Sequence, residues 1–121
     1  MEYMELNVWV KNRELTNLIY SITRKYPKDE IYGITMQMRR AAVSVVSNIA
    51  EGCGRNYKND SIQFFHVARG SLYELESQCY ISFDQAYINR ADLDDVLNLL
   101  AECKKLLNGF INYFEKQITK K

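Results

Sequence analysis

The sequence predicts an all-α fold: an antiparallel, up-down-up-down four-helix bundle, one domain over residues 1–121. Three observations carry this. Apolar residues recur at spacings of three and four along most of the chain, the period of a helix with one buried face. Only five glycines and one proline occur, and most sit at breaks between the periodic runs. The breaks are short, which favours antiparallel neighbours. With 47% hydrophobic residues, a chain of 121 residues can bury a core without disulfide or metal staples.

The elements follow in order. The first helix covers about residues 4–25, with Leu15, Leu18, Ile19, Ile22 and Tyr26 on its apolar stripe. Tyr26-Pro27 ends it, because a residue before proline avoids the helical region. The second runs from Thr35 to Gly52. Met38, Ala42, Val45 and Ile49 form its core stripe. Gln37, Arg40, Ser44, Ser47 and Glu51 form a second, polar stripe of the same period. Gly52 and Gly54 are expected to stop it. The third begins with Asn59 or Asp60 as its cap. It continues to about Tyr87 through Phe65, Ala68, Leu72, Leu75, Cys79 and Ala86. Asn89 with Asp92 forms the cap pair of the fourth, over about residues 91–118. Its stripe is Leu93, Val96, Leu97, Leu100, Cys103, Leu107, Phe110, Phe114 and Ile118.

Formal net charge is only +1, but the charge is unevenly spread. Residues 1–38 balance. In residues 39–58, Arg39, Arg40, Arg55 and Lys58 stand against Glu51 alone. Residues 59–102 hold eight acids against Arg69 and Arg90; residues 103–121 hold five lysines against Glu115. Such a chain can present a basic patch despite its neutrality, since local charge sets the field. The three cysteines, Cys53, Cys79 and Cys103, have no ligand spacing and fit a reduced, cytoplasmic protein. Cys79 and Cys103 fall at apolar helix positions. No run approaches the ~18 apolar residues of a membrane helix, and Met1–Glu5 has no signal-peptide form.

The residues argue against an enzyme. His66 is the one histidine, without a Glu-x-x-His pair for a dimetal bundle or a Cys/His set for zinc. It reads as an exposed helix-face residue. Gly52-Cys53-Gly54 follows a helix and lacks the strand context and Lys-Ser/Thr ending of a phosphate loop. No catalytic residue, metal or cofactor is therefore assigned. Arg39, Arg40, Arg55, Lys58 and Arg69 are the candidate nucleic-acid-binding residues, because planar guanidinium forks match phosphate. Tyr57 and Tyr73 add flat surfaces for stacking. Arg69, Tyr73, Glu76 and Tyr80 share one helix face. That face is a solvated stripe, a helix or subunit contact, or a ligand site. Gly70, mid-helix, leaves room for a close neighbour at a cost of about 1 kcal/mol relative to alanine. Nine tyrosines and Trp9 exceed what one small core hides, which points to self-association.

The run Ile34 to Gly52, ITMQMRRAAVSVVSNIAEG, and the run Ala68 to Gln78, ARGSLYELESQ, resemble two ordered signatures of one family. It is the family of four-helix-bundle proteins encoded by intervening sequences of bacterial 23S rRNA genes. Ile19-Tyr20 and Tyr26-Pro27 extend the resemblance, which spans nearly the whole chain. It implies a cytoplasmic bundle assembled as a ring-like homopentamer. It also implies similarity to the accessory variability determinant proteins of diversity-generating retroelements, which are basic and bind nucleic acid and a reverse transcriptase. The balanced charge here departs from those basic relatives. The matching motif residues are Arg39, Arg40, Ser44, Asn48, Glu51, Gly52, Arg55, Arg69, Gly70, Ser71 and Glu74. The expectation is a non-enzymatic oligomer that binds RNA, DNA or a protein or nucleoprotein partner through its basic surface. The alternative is a protein-interaction bundle in which Asn48, Glu51, Gly52, Gly70, Ser71, Glu74 and Glu76 form subunit contacts.

Overall fold

A computed structural model describes residues 2–119. Four α-helices follow one another: α1 (Asn7–Thr23), α2 (Ile34–Cys53), α3 (Lys58–Asp84) and α4 (Arg90–Thr119). Short 3-10 turns at Tyr3–Glu5 and Lys28–Glu30 precede α1 and α2. No strand occurs among the described residues. Each helix packs on two neighbours, α1 and α3 both lying against α2 and α4, and no helix approaches its diagonal partner. The cross-contacts fix antiparallel order. Rising α2 numbers meet falling α3 numbers, Met38 touching Ser82 and Ser44 touching Ser71. On the other flank Glu76 meets Lys104 and Arg69 meets Asn108. This is the expected up-down-up-down bundle.

The apolar stripes supply the core. Leu15, Ile19, Met38, Val45, Ile49, Phe65, Leu72, Leu75, Leu100, Leu107 and Ile111 are at most 1% exposed. Cys79 and Cys103 are buried among them. At one end Phe65 packs against Phe110 and Phe114, all three ring pairs having centroids 4.9 Å apart. Gly52 makes this arrangement possible. A Cβ there would lie 2.4 Å from Phe65 Cε1, so only glycine lets α2 approach the ring.

Several boundaries differ from the sequence reading, for local reasons. Leu6 is extended and separates the 3-10 turn from α1, while Tyr3 packs edge-on against Trp9. α1 stops at Thr23, before Tyr26-Pro27. α2 does not end through flexible glycine. It passes through buried Gly52, and Gly54 caps it in the ordinary right-handed region at φ −86°. α3 starts beyond Tyr57 with no side-chain cap, so Asn59 and Asp60 lie inside its first turn.

The largest departure is the end of α3 at Asp84. Ala86, expected on the buried stripe, is exposed and left-handed, with φ 63°. The Ala86 amide donates to Phe83 O and the Tyr87 amide to Ser82 O, each at 2.9 Å. This crossed pair closes a helix end where glycine is usual. Alanine hid it. The Asn89 cap of α4 holds as expected, Asn89 Oδ1 accepting from the Asp92 amide at 2.8 Å.

Two substitutions test this packing by chemical denaturation. Ala86→Gly removes the left-handed penalty and raises stability by about 1 kcal/mol. Gly52→Ala drives a methyl into a fixed ring and lowers it by about 1–3 kcal/mol.

Candidate functional site

The polar stripe of α2 and the second signature on α3 meet along one seam. Ser44 and Ser71 face each other with hydroxyl oxygens 3.0 Å apart. Asn48 Nδ2 donates to the Ser44 carbonyl at 2.8 Å and to Ser44 Oγ at 3.0 Å. The periodicity of α2 puts Gln37, Arg40 and Ser44 on one side, and that of α3 puts Ser71 and Glu74 opposite. Together they line a shallow groove of about 300 Å³. Arg40 and Glu74 face this groove from opposite helices without forming an ion pair. The two signatures, separate in sequence, therefore build one feature.

A second, larger cleft of about 550 Å³ lies on the other flank of α2, against α1. Tyr20, Ile31, Met36, Arg39, Arg40 and Val43 border it. Arg39 is held in place: its Nε donates to Thr23 Oγ1 at 2.9 Å, and its guanidinium carbon lies 4.7 Å from the Tyr20 ring centroid. Thr23 is itself anchored to the Ile19 carbonyl at 2.7 Å. Arg40 thus stands on the ridge between cleft and groove.

The remaining candidate cations sit elsewhere. Arg55 is at the α2–α3 turn, 3.1 Å from Glu51 and over the Phe64 ring at 4.5 Å. Lys58 is exposed at the start of α3, beside Tyr57, which is 72% exposed. Arg69 faces α4, donating to Asn108 Oδ1 at 3.2 Å. Next to it Lys104 Nζ lies 2.6 Å from Glu76 and 4.8 Å from the Tyr73 centroid. The Arg69–Tyr73–Glu76 stripe is thus a helix–helix contact, paired through Lys104 and Asn108 rather than within itself. Sequence reasoning had no access to those two partners, 28 and 39 residues away. Gly70 and Glu74 are exposed on α3, and a Cβ at Gly70 would meet nothing within 4 Å.

The geometry offers little for catalysis. His66 is exposed, its Nε2 4.0 Å from Glu115 Oε2 and the two side chains 41% and 51% exposed. An exposed pair at that distance holds neither a fixed tautomer nor a nucleophile. Among the described residues no group of three or more His, Cys, Asp or Glu side chains is placed to hold a metal. Burial pushes the Cys79 and Cys103 thiols up to about 12, and pushes Cys53 up as well. None of them is a ready thiolate. Among the described residues no helix is long and apolar enough to cross a membrane.

Comparison with known proteins finds a matching family and similar solved structures. The family model described as 23S rRNA-intervening sequence protein matches residues 4–109. The fold is similar to a crystal structure of a protein with unknown function from the S23 ribosomal protein family, from Bacteroides thetaiotaomicron. That likeness has a TM-score of 0.81 at 22% identity, over 93% of this chain and 99% of the other. No curated protein matches the chain.

The thiols give a pH test. As pH rises above the ordinary thiol value of 9.0, the unfolded chain loses protons that the folded chain keeps up to about 12. The unfolded state then binds fewer protons, so stability falls with rising pH in that window. Thermal midpoints of the wild type should drop there, and a Cys79→Ala/Cys103→Ala variant should drop less steeply. In native protein at neutral pH, a thiol reagent should modify Cys53 first and the other two only on unfolding.

Proposed function

The chain belongs to the 23S rRNA-intervening sequence protein family, and on that premise we propose that it is a non-enzymatic, self-associating bundle that binds RNA, alone or in a nucleoprotein partner. One observation carries this reading. Arg39 and Arg40 stand side by side on α2, border the 550 Å³ cleft, and among the described residues form no ion pair with a carboxylate. Arginine forks are suited to phosphate, and that of Arg39 is already held by Thr23 and Tyr20. Lys58 adds a third cation at the far end of the α2–α3 pair, without a carboxylate partner among the described residues. Arg55 contributes less, because Glu51 already offsets it, and Arg69 is engaged by Asn108. The basic surface therefore runs along α2. Three free thiols suit a reducing cytoplasm.

Self-association has its own support. Val67 and Ile81 are 53% and 48% exposed on the outer face of α3. Gly70 offers open backbone on the same face. Isolated apolar residues are ordinary on a surface, but two beside an open glycine on one helix face mark a contact. In the alternative reading this contact, with Arg40 and Glu74 paired between subunits, is the whole function. A ring of five copies is the expected assembly.

Two measurements separate these readings. RNA affinity against salt should fall by about 0.7–0.9 log unit per tenfold salt for each phosphate contact, roughly between two and three units for Arg39, Arg40 and Lys58 together. Arg40→Ala should shallow that slope by roughly one contact. A flat salt response, or no binding, would remove RNA from the proposal. Light-scattering mass should show an oligomer that Val67→Asp converts to a folded monomer. A wild type that is already monomeric would remove self-association.

A further inference from the structure

We propose that the corner between α1 and α2 is a two-nucleotide track for single-stranded RNA, with Arg39 at the phosphate that joins the two nucleotides. This rests on the RNA-binding reading and specifies which surface is used and in what form the RNA is bound.

The cleft beside Tyr20 does not end at Arg39. On the far side lies a second hollow of about 420 Å³, walled by Arg24, Tyr26, Lys28 and Thr35. The two hollows share Arg39 and Ile31. Each is within the size range of small-ligand sites, about 300–1,000 Å³. Compartment, arginine, compartment is the order in which one strand offers base, phosphate, base.

The charge of this corner is arranged to suit a polyanion. Arg24, Lys28, Arg39 and Arg40 border the track, and none forms an ion pair among the described residues. Glu30, an acid of the same loop, is turned elsewhere: it accepts the Tyr87 hydroxyl at 2.8 Å. Lys25 is drawn 3.6 Å from Asp92. Glu30 and Asp92 thus lie toward the α3–α4 connection, and the four cations of the track outnumber the one other acid of the loop, Asp29. A charge count along the sequence missed this, because it sums Arg24 and Lys28 with those acids.

Single-stranded RNA fits better than a duplex or an acidic peptide. Ile31, Met36 and Val43 expose apolar surface in the first hollow. Apolar and aromatic walls hold bases that are free of pairing, whereas a duplex presents mainly phosphates and sugars. A carboxylate peptide would use the cations but leave the apolar wall unfilled. Arg39 is already oriented by Thr23 and Tyr20, so little freedom is lost on binding. Thr35 is 2% exposed, and its hydroxyl has no hydrogen-bond partner among the described residues. Such a group is costly to bury unless something engages it.

The test uses the full-length protein, a short fluorescein-labelled oligouridine and a self-complementary RNA duplex of equal length. The wild type should bind the single strand about tenfold more tightly than the duplex. Arg39→Gln and the exposed-site variant Ile31→Asp should each lose about tenfold for the single strand. Lys105→Ala, on α4, should lose little. A 4-thiouridine version of the strand should crosslink within residues 20–43. Binding by the wild type with crosslinks only at Arg55 or Lys58 and none within residues 20–43, or with Ile31→Asp unchanged, would overturn the track and leave the RNA reading standing. Equal affinity for an oligoglutamate peptide that displaces the RNA would assign the cleft to an acidic protein segment instead. No RNA binding at all would overturn both.

Discussion

The close contact of Gly52 with Phe65 sets the register on which the rest of the structure depends. Phe65 is fully buried, and its ring also packs on Phe110 and Phe114 of α4. One side chain thus ties three helices at one end of the bundle. With that register fixed, α2 and α3 align along their length. Ser44 then falls opposite Ser71, Arg40 faces Glu74 across the groove, and Met38 meets Ser82. A one-residue slip would rotate a helix by about 100° and break these contacts together.

The polar residues of the two signatures therefore serve two ends. Ser44, Asn48 and Ser71 satisfy one another within the bundle, and a satisfied polar network fixes one packing over its alternatives. Arg40, Gly70 and Glu74 are left outside that network. It is on their availability at the surface that the proposed function draws. Arg69 and Glu76 are engaged by α4, which makes the stripe they share a seam of the fold.

Charge is partitioned in a similar way. Glu51, Glu76, Asp92, Asp94 and Glu102 each lie within ion-pair distance of a cation. Glu30 is hydrogen-bonded to Tyr87. What remains around α2 and the α1–α2 connection is a set of cations with no carboxylate partner among the described residues. A chain of net charge +1 can in this way carry a local positive field.

The sequence by itself determined the helices, their order and their buried faces. The stripes Leu15–Ile19–Ile22, Met38–Ala42–Val45–Ile49 and Leu93–Val96–Leu100 depend only on helical period and apolarity. It also marked the two signature stretches, through polar residues that a core does not need. It did not show the left-handed turn at Ala86, since alanine carries no turn signal. Nor did it show the partners of Arg69 and Glu76, or the cleft joining Arg24, Lys28 and Tyr20 to Arg39. Those depend on which helix lies beside which, and on where loop acids point. Periodicity is a property of one segment, whereas a site is made of side chains from several. Only the packing of Phe65 against Gly52, and the register it imposes, decided which of them meet.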